Sequence, residues 1–272
     1  MKILAKHISV FTLLSLFAYV STASPISLQV EGASVEEARA TLVRLIRLSD
    51  SQALRTEEAR KLFVGEMAEL NIPSFGKLTS EPDKVVMLEK NQAVGRVQRF
   101  GNNNQVTDVY FYLTYDGGWK VSAVRLLALT GIIEQASLAL KAKPNLTEEE
   151  KADLANFKLI LATDKELAAW FAENRAALET LYNLAKSKSG GRQVYIRSED
   201  KEPADVIALL NKLHLSGLSI ETDGDVQFIF GGITDNVVGL IHSPSKNPPA
   251  ISPSSYIWVE EVAAKWYLFR TT

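Results

Sequence analysis

Asp108, Tyr110 and Tyr112 stand two residues apart within Val106–Leu127, VTDVYFYLTYDGGWKVSAVRLL. Side chains alternate between the two faces of an extended chain, so this spacing puts one carboxylate and two phenols on the same side. Val109, Phe111, Leu113 and Tyr115 take the other side. If the polar side lined a closed cavity, desolvation would raise the Asp108 pKa toward that of a useful base, with a tyrosine hydroxyl as donor. The more apolar set should be the buried one, however, so the sequence predicts that Asp108, Tyr110 and Tyr112 face solvent. A second candidate pair, Asp235–Asn236, follows Gly231–Gly232. It is weighed as a ligand-binding pair, but a turn held by side-chain-to-backbone bonds is the simpler reading.

Other chemistries find little material. The chain has no cysteine, which removes a thiol nucleophile, a thiolate metal site and a lipid-modified cysteine. Beyond the first residues it has two histidines, His214 and His242, neither with another histidine at ligand spacing. His214 is expected to cap an apolar helix and His242 to end an apolar strand, so no metal and no cofactor are expected. There is no Gly-x-Ser-x-Gly elbow to raise a serine nucleophile. Gly231–Gly232 lacks the Lys-Ser/Thr of a phosphate loop and reads as a bulge or bend.

Lys2 and Lys6, the apolar run Ile8–Val20 and the small residues Ser21-Thr22-Ala23 form the three-part pattern of a secretory signal peptide over 1–23. The expectation is a periplasmic or secreted protein with no membrane span after cleavage. The remaining chain would carry 28 Lys and Arg against 32 Asp and Glu, which offers no general attraction for nucleic acid. The expected partner is therefore a small molecule or a protein.

The elements that must position these residues are legible from periodicity. Ser34 with Glu37 has capping-box spacing ahead of a helix carrying Ala38, Leu42, Leu45 and Ile46. Thr56 opens a second helix with Ala59, Leu62, Phe63, Met67 and Leu70 on one face, ended by Asn71-Ile72-Pro73. Strands are expected at Val85–Leu88 and Ala93–Phe100, then a hairpin turning at Asp116-Gly117, with Trp119, Val121 and Ala123 sharing a face. Two helices followed by four strands, closing with Tyr110-Phe111-Tyr112-Leu113 and Trp119-Lys120-Val121, resemble the nuclear-transport-factor-two-like (cystatin-like, ketosteroid-isomerase-like) superfamily. That resemblance implies a cone of helices on a curved antiparallel sheet over 24–130. The superfamily includes enzymes, ligand binders and interaction modules, so it assigns no activity.

Residues 131–190 read as a helical connector, with capping boxes at Thr147 and Thr163 and a stop at Gly190-Gly191. Asn145-Leu146-Thr147 is formally a glycosylation sequon, although Thr147 is already explained as a cap. Residues 191–272 are expected to form a small antiparallel sheet domain. It comprises a strand at Val194–Ile196, a helix behind Pro203, a hairpin turning at Asp223-Gly224, a strand at Val237–Ile241, and a closing hairpin after the proline-rich loop Ser243–Pro253. The stretches Gly231–Gly239 and Trp266–Thr272 resemble segments of uncharacterised bacterial secreted proteins, which brings no activity. The fold class is thus α+β. The expected role is a non-enzymatic binding or interaction protein; the rival is a cofactor-independent isomerase or hydrolase using Asp108, Tyr110 and Tyr112.

Overall fold

The Ser34–Glu37 capping box forms as expected, with the Glu37 N–H donating to Ser34 Oγ at 3.2 Å and the Ser34 N–H to Glu37 Oε2 at 3.3 Å. It opens α1 (Val35–Asp50), which buries Ala38, Leu42, Leu45 and Ile46. The structure is a computed structural model that describes residues 33–50, 54, 56–69, 75–101, 105–127, 130–233, 235–245 and 247–272. The leader pattern, the extended piece expected at Ile26–Val30 and the stop at Asn71-Ile72-Pro73 lie outside those residues.

The second helix does not run through as the periodicity predicts. It divides into α2 (Glu57–Arg60) and α3 (Glu66–Glu69), with Phe63 between them bridging to Val121. The Val64 N–H donates to Val121 O at 3.0 Å and the Val121 N–H to Leu62 O at 2.7 Å. Backbone groups that a continuous helix would satisfy internally are given to a strand instead, and Gly65 at φ +62° turns the chain.

Five antiparallel strands make the curled first sheet: β1 (Lys77–Leu78), β2 (Lys84–Glu89), β3 (Gln92–Phe100), β4 (Val106–Tyr115) and β5 (Trp119–Arg125). β3 is the hub, pairing with β1, β2 and β4, and β5 closes on β4. Val109, Phe111 and Leu113 of β4 face α1 and the α2–α3 turns, in a core with Leu42, Leu45 and Phe63. The sheet approaches α1 so closely that a Cβ on Gly95 would sit 2.1 Å from Leu42 Cδ1. The expected alternation of β5 fails at one point. Tyr112 pairs with Ala123 and Leu113 with Val121, leaving Ser122 as an extra residue. This bulge turns Ala123 to the Tyr112 side and puts Val124 with Val121 against the helices.

Three helices follow, the last two opening where the capping signals predict: α4 (Thr130–Lys141), α5 (Glu148–Leu161) and α6 (Asp164–Ser189). Thr147 with Glu150 and Thr163 with Glu166 complete reciprocal capping boxes, and Gly190 ends α6 at φ +59°. Their apolar faces pack on the second sheet, where Leu167, Phe171, Leu178 and Leu181 meet Phe228, Leu240, Trp266 and Leu268. That sheet contains β6 (Val194–Arg197), β7 (Gly217–Ile220), β8 (Val226–Ile233), β9 (Asn236–His242), β10 (Tyr256–Ala263) and β11 (Trp266–Thr271), in the order β10-β11-β9-β8-β7-β6. α7 (Ala204–Lys212) starts behind Pro203. It ends at His214, whose left-handed φ of +56° allows the Leu215 N–H to reach Leu210 O at 2.9 Å. Residues 33–272 form one compact α+β unit.

Candidate functional site

The polar side of β4 does not face solvent. Asp108 is 7% exposed, Tyr110 0% and Tyr112 3%. The expectation fails because Ile257 and Trp258 of β10 cover that face and pack with Val94, Tyr110, Tyr112 and Ala123. β4 is therefore buried on both sides, with helices on one and the second sheet on the other. Tyr110 stacks on Trp258 at a centroid distance of 5.1 Å, and the Tyr112 hydroxyl donates to Ile257 O at 2.9 Å. The guanidinium carbon of Arg96 lies 5.1 Å from the Trp258 ring centroid, close enough for a cation–π contact.

Asp164, the first residue of α6, is the centre of this junction and is 1% exposed. Its Oδ2 accepts from Arg96 Nη1 at 2.9 Å and from the Tyr110 hydroxyl at 2.7 Å, and its Oδ1 accepts from Arg270 Nε at 2.7 Å. The Asp164 N–H donates to Asp108 Oδ2 at 2.6 Å. Both carboxylates thus sit at the N-terminal end of α6, where the helix dipole favours negative charge. Arg96 also binds Asp83 and donates to Glu260 Oε2 at 2.6 Å. Glu260 in turn accepts from Lys84 Nζ at 2.7 Å and Trp258 Nε1 at 3.1 Å. Arg270 Nη2 also donates to Ala162 O at 2.7 Å.

The electrostatics separate the two aspartates. Burial alone would raise the Asp164 pKa, but Arg270 and Arg96 overrule it and hold the carboxyl below its usual range. For Asp108, burial and then the neighbouring Asp164 charge push the pKa up to about 6, against the pull of Arg270, the Asp164 N–H and Arg96. Burial raises Tyr110 and Tyr112 well above ordinary phenols. Burial works against the charge on Arg96, yet Asp164 and Glu260 outweigh it and hold the guanidinium protonated. Asp108 Oδ1 is buried without a hydrogen-bond partner. Asp108 also lines a void of about 10 Å³ with Thr107, Leu127, Thr130, Ala162 and Arg270. That is about the space one water needs.

The other sequence candidates fall elsewhere. Asp235 and Asn236 do meet, in the β8–β9 turn, where Asn236 Nδ2 donates to Asp235 Oδ1 at 3.0 Å. The Thr271 hydroxyl donates to Asp235 O, and the Val237 N–H donates to Thr271 Oγ1 at 2.9 Å, tying the turn to the last strand. Asp235 is exposed and Asn236 buried. The two glycines before them permit close approach. A Cβ on Gly231 would come within 2.6 Å of Ile160 Cδ1, and one on Gly232 within 2.0 Å of Asn236 O. His242 ends β9 as expected, packed 4.1 Å from Tyr182 and 4.8 Å from Trp266 between ring centroids. Burial, then Lys265 and Lys186, lower its pKa. Among the described residues no group of side chains could hold a metal ion.

Among the described residues, concavities open to the surface on the second-sheet side. One, of about 440 Å³, lies between Glu221, Asp223 and Asp225 and the proline-rich loop at Asn247–Ala250. Another is an apolar groove of about 470 Å³ between α4, α5 and the second sheet. Ile132, Ile133, Ala136, Phe157, Ile160, Ile229 and Val237 line it, with Asn156, Tyr195 and Ser216 as polar points. Asn156 Nδ2 donates to His214 O at 2.8 Å and to Phe230 O at 2.5 Å. Two carbonyl partners fix that amide's orientation, so Asn156 Oδ1 is left as an acceptor in the groove wall. Ile132 at 57% and Tyr195 at 52% exposure flank the opening.

Sequence reasoning missed Arg96, Glu260 and Arg270, and saw Asp164 only as part of a helix start. One signal was present: Arg96 and Arg270 each interrupt an apolar strand, in AVGRV and YLFRT, where a charge needs a buried partner. Comparison with family models, curated proteins and solved structures returns no match.

Proposed function

We propose that this chain is an exported, non-enzymatic binding protein that takes a small amphipathic molecule in the groove between α4–α5 and the second sheet. The observation that carries this reading is the groove itself. Its volume of about 470 Å³ falls in the range of small-molecule sites, about 300–1,000 Å³, and its lining is apolar with few polar points. Asn156 Oδ1 and the lone pairs of Ser216, whose hydroxyl donates to Ile229 O at 3.2 Å, accept hydrogen bonds. The matching ligand has an apolar body and a neutral donor end, such as a hydroxyl. The state of Asp108, Tyr110 and Tyr112 supports binding over turnover, because their neighbours are protein groups and the adjoining void has room for about one water. The helices packed on a curled sheet in the first half support the cone-like resemblance, and the amino-terminal pattern supports export.

Calorimetric titration with 1-decanol tests the reading. Binding should show a negative heat-capacity change from apolar burial. Ala136→Trp, on a partly exposed position of the groove wall, should abolish binding while leaving the melting temperature within about 2 °C, since surface substitutions change stability little. Binding that survives Ala136→Trp, or no heat of binding for 1-decanol up to its solubility, overturns it.

A further inference from the structure

The junction between the sheets holds more negative than positive groups. Asp83, Asp108, Asp164 and Glu260 meet Arg96, Arg270 and Lys84 there. Hydrogen bonds distribute the cations unevenly: Lys84 goes to Glu260, Arg96 to Asp83, Asp164 and Glu260, and Arg270 to Asp164 and Ala162 O. Asp108 has no cation bonded to it. Its Oδ2 takes the Asp164 N–H, and its Oδ1 is buried with no hydrogen-bond partner. Tyr110, the remaining titratable group here, already donates to Asp164.

We propose that Asp108 is a proton-binding site built into this junction, so that taking up a proton closes the contact between the first sheet and the α6–β11 side and losing it loosens that contact. A neutral carboxyl keeps Oδ2 as the acceptor for the Asp164 N–H and leaves the unpartnered Oδ1 without charge. The ionised form places an unbalanced charge beside Asp164 in a dry site, at a cost that burial imposes on any unpaired carboxylate. Because the folded-state pKa lies above the ordinary value, the penalty is absent below about pH 4, grows through about pH 6 and is complete above it. The inference is independent of the groove and of any ligand.

Urea unfolding of the full chain and of Asp108→Asn across pH 4.5 to 8 tests it. The amide stays neutral, so the ratio of unfolding constants, wild type over variant, should rise across that range by about 25-fold. A ratio that does not change with pH overturns the proposal. If Asp108→Asn does not fold, the carboxyl carbon of Asp108 in the labelled native protein gives the answer by NMR: a titration midpoint above 5 supports it and one at or below 5 overturns it.

Discussion

Removing the charge of Asp164 should cost far more stability than removing the charge of an exposed residue. In Asp164→Asn the side chain keeps its size and its place at the start of α6, but Arg96 and Arg270, both nearly fully buried, lose their shared counter-ion. Breaking a buried ion pair from one side costs about 3–5 kcal/mol, because the remaining charge stays desolvated. Arg96 keeps Asp83 and Glu260, whereas Arg270 keeps only Ala162 O and the nearby Asp108. Asp108 should then ionise more readily and recover part of the loss, which places the net cost at about 3–4 kcal/mol. Against a typical total of about 5–15 kcal/mol, that is readily measured. The assay is urea unfolding at pH 7.5, with the shift in midpoint read at unchanged slope. Arg270→Met should cost a similar amount. The double variant should cost clearly less than the sum, since both changes remove one interaction. A loss below about 1 kcal/mol, of the size expected for an exposed pair such as Lys120–Asp116, would refute the argument that this network locks the two sheets.

Other outcomes can be stated more briefly. Asp108→Asn at pH 7.5 should leave stability unchanged or raise it by up to about 3 kcal/mol, the equivalent of a pKa rise from 3.8 to about 6; the gain should vanish near pH 4 in the same urea titrations. Gly95→Ala should destabilise by about 1–3 kcal/mol through collision with Leu42, measured by thermal unfolding. Thr163→Ala should cost more than Thr147→Ala, for which about 1 kcal/mol is expected, because Thr163 caps the helix whose next residue anchors the junction. Ala136→Trp should remove 1-decanol binding with the melting temperature unchanged.

The parts of this fold that could be read from sequence are those whose cause is local. A Ser or Thr with Glu three residues on placed the starts of α1, α5 and α6, and the strand hairpins followed from Asp-Gly turns between alternating stretches. The failures came where a distant partner decided the outcome. Apolar residues at helical spacing from Ala59 to Met67 suggested one helix, but Val121, roughly sixty positions away, claims the backbone of Leu62 and Val64. Ser122 gave no sign that it would bulge and move Ala123 to the opposite face.

The same reasoning explains why the candidate site was found and its surroundings misjudged. Asp108, Tyr110 and Tyr112 were recognisable as a polar face because the β period of two is a property of the strand itself. Assigning that face to solvent assumed that a strand has one buried side. β4 has two, and the layer covering the second arrives about 150 residues later, as Ile257 and Trp258. Tyr is suited to such a place, since its ring stacks on Trp258 while its hydroxyl finds Asp164. Arg96 and Arg270 carried the matching information from the other side: a guanidinium inside an apolar strand has to meet a carboxylate that is also out of water. One polar strand face and two stranded arginines in one chain therefore point to a single internal interface, and the Asp164→Asn experiment measures how much of the fold depends on it.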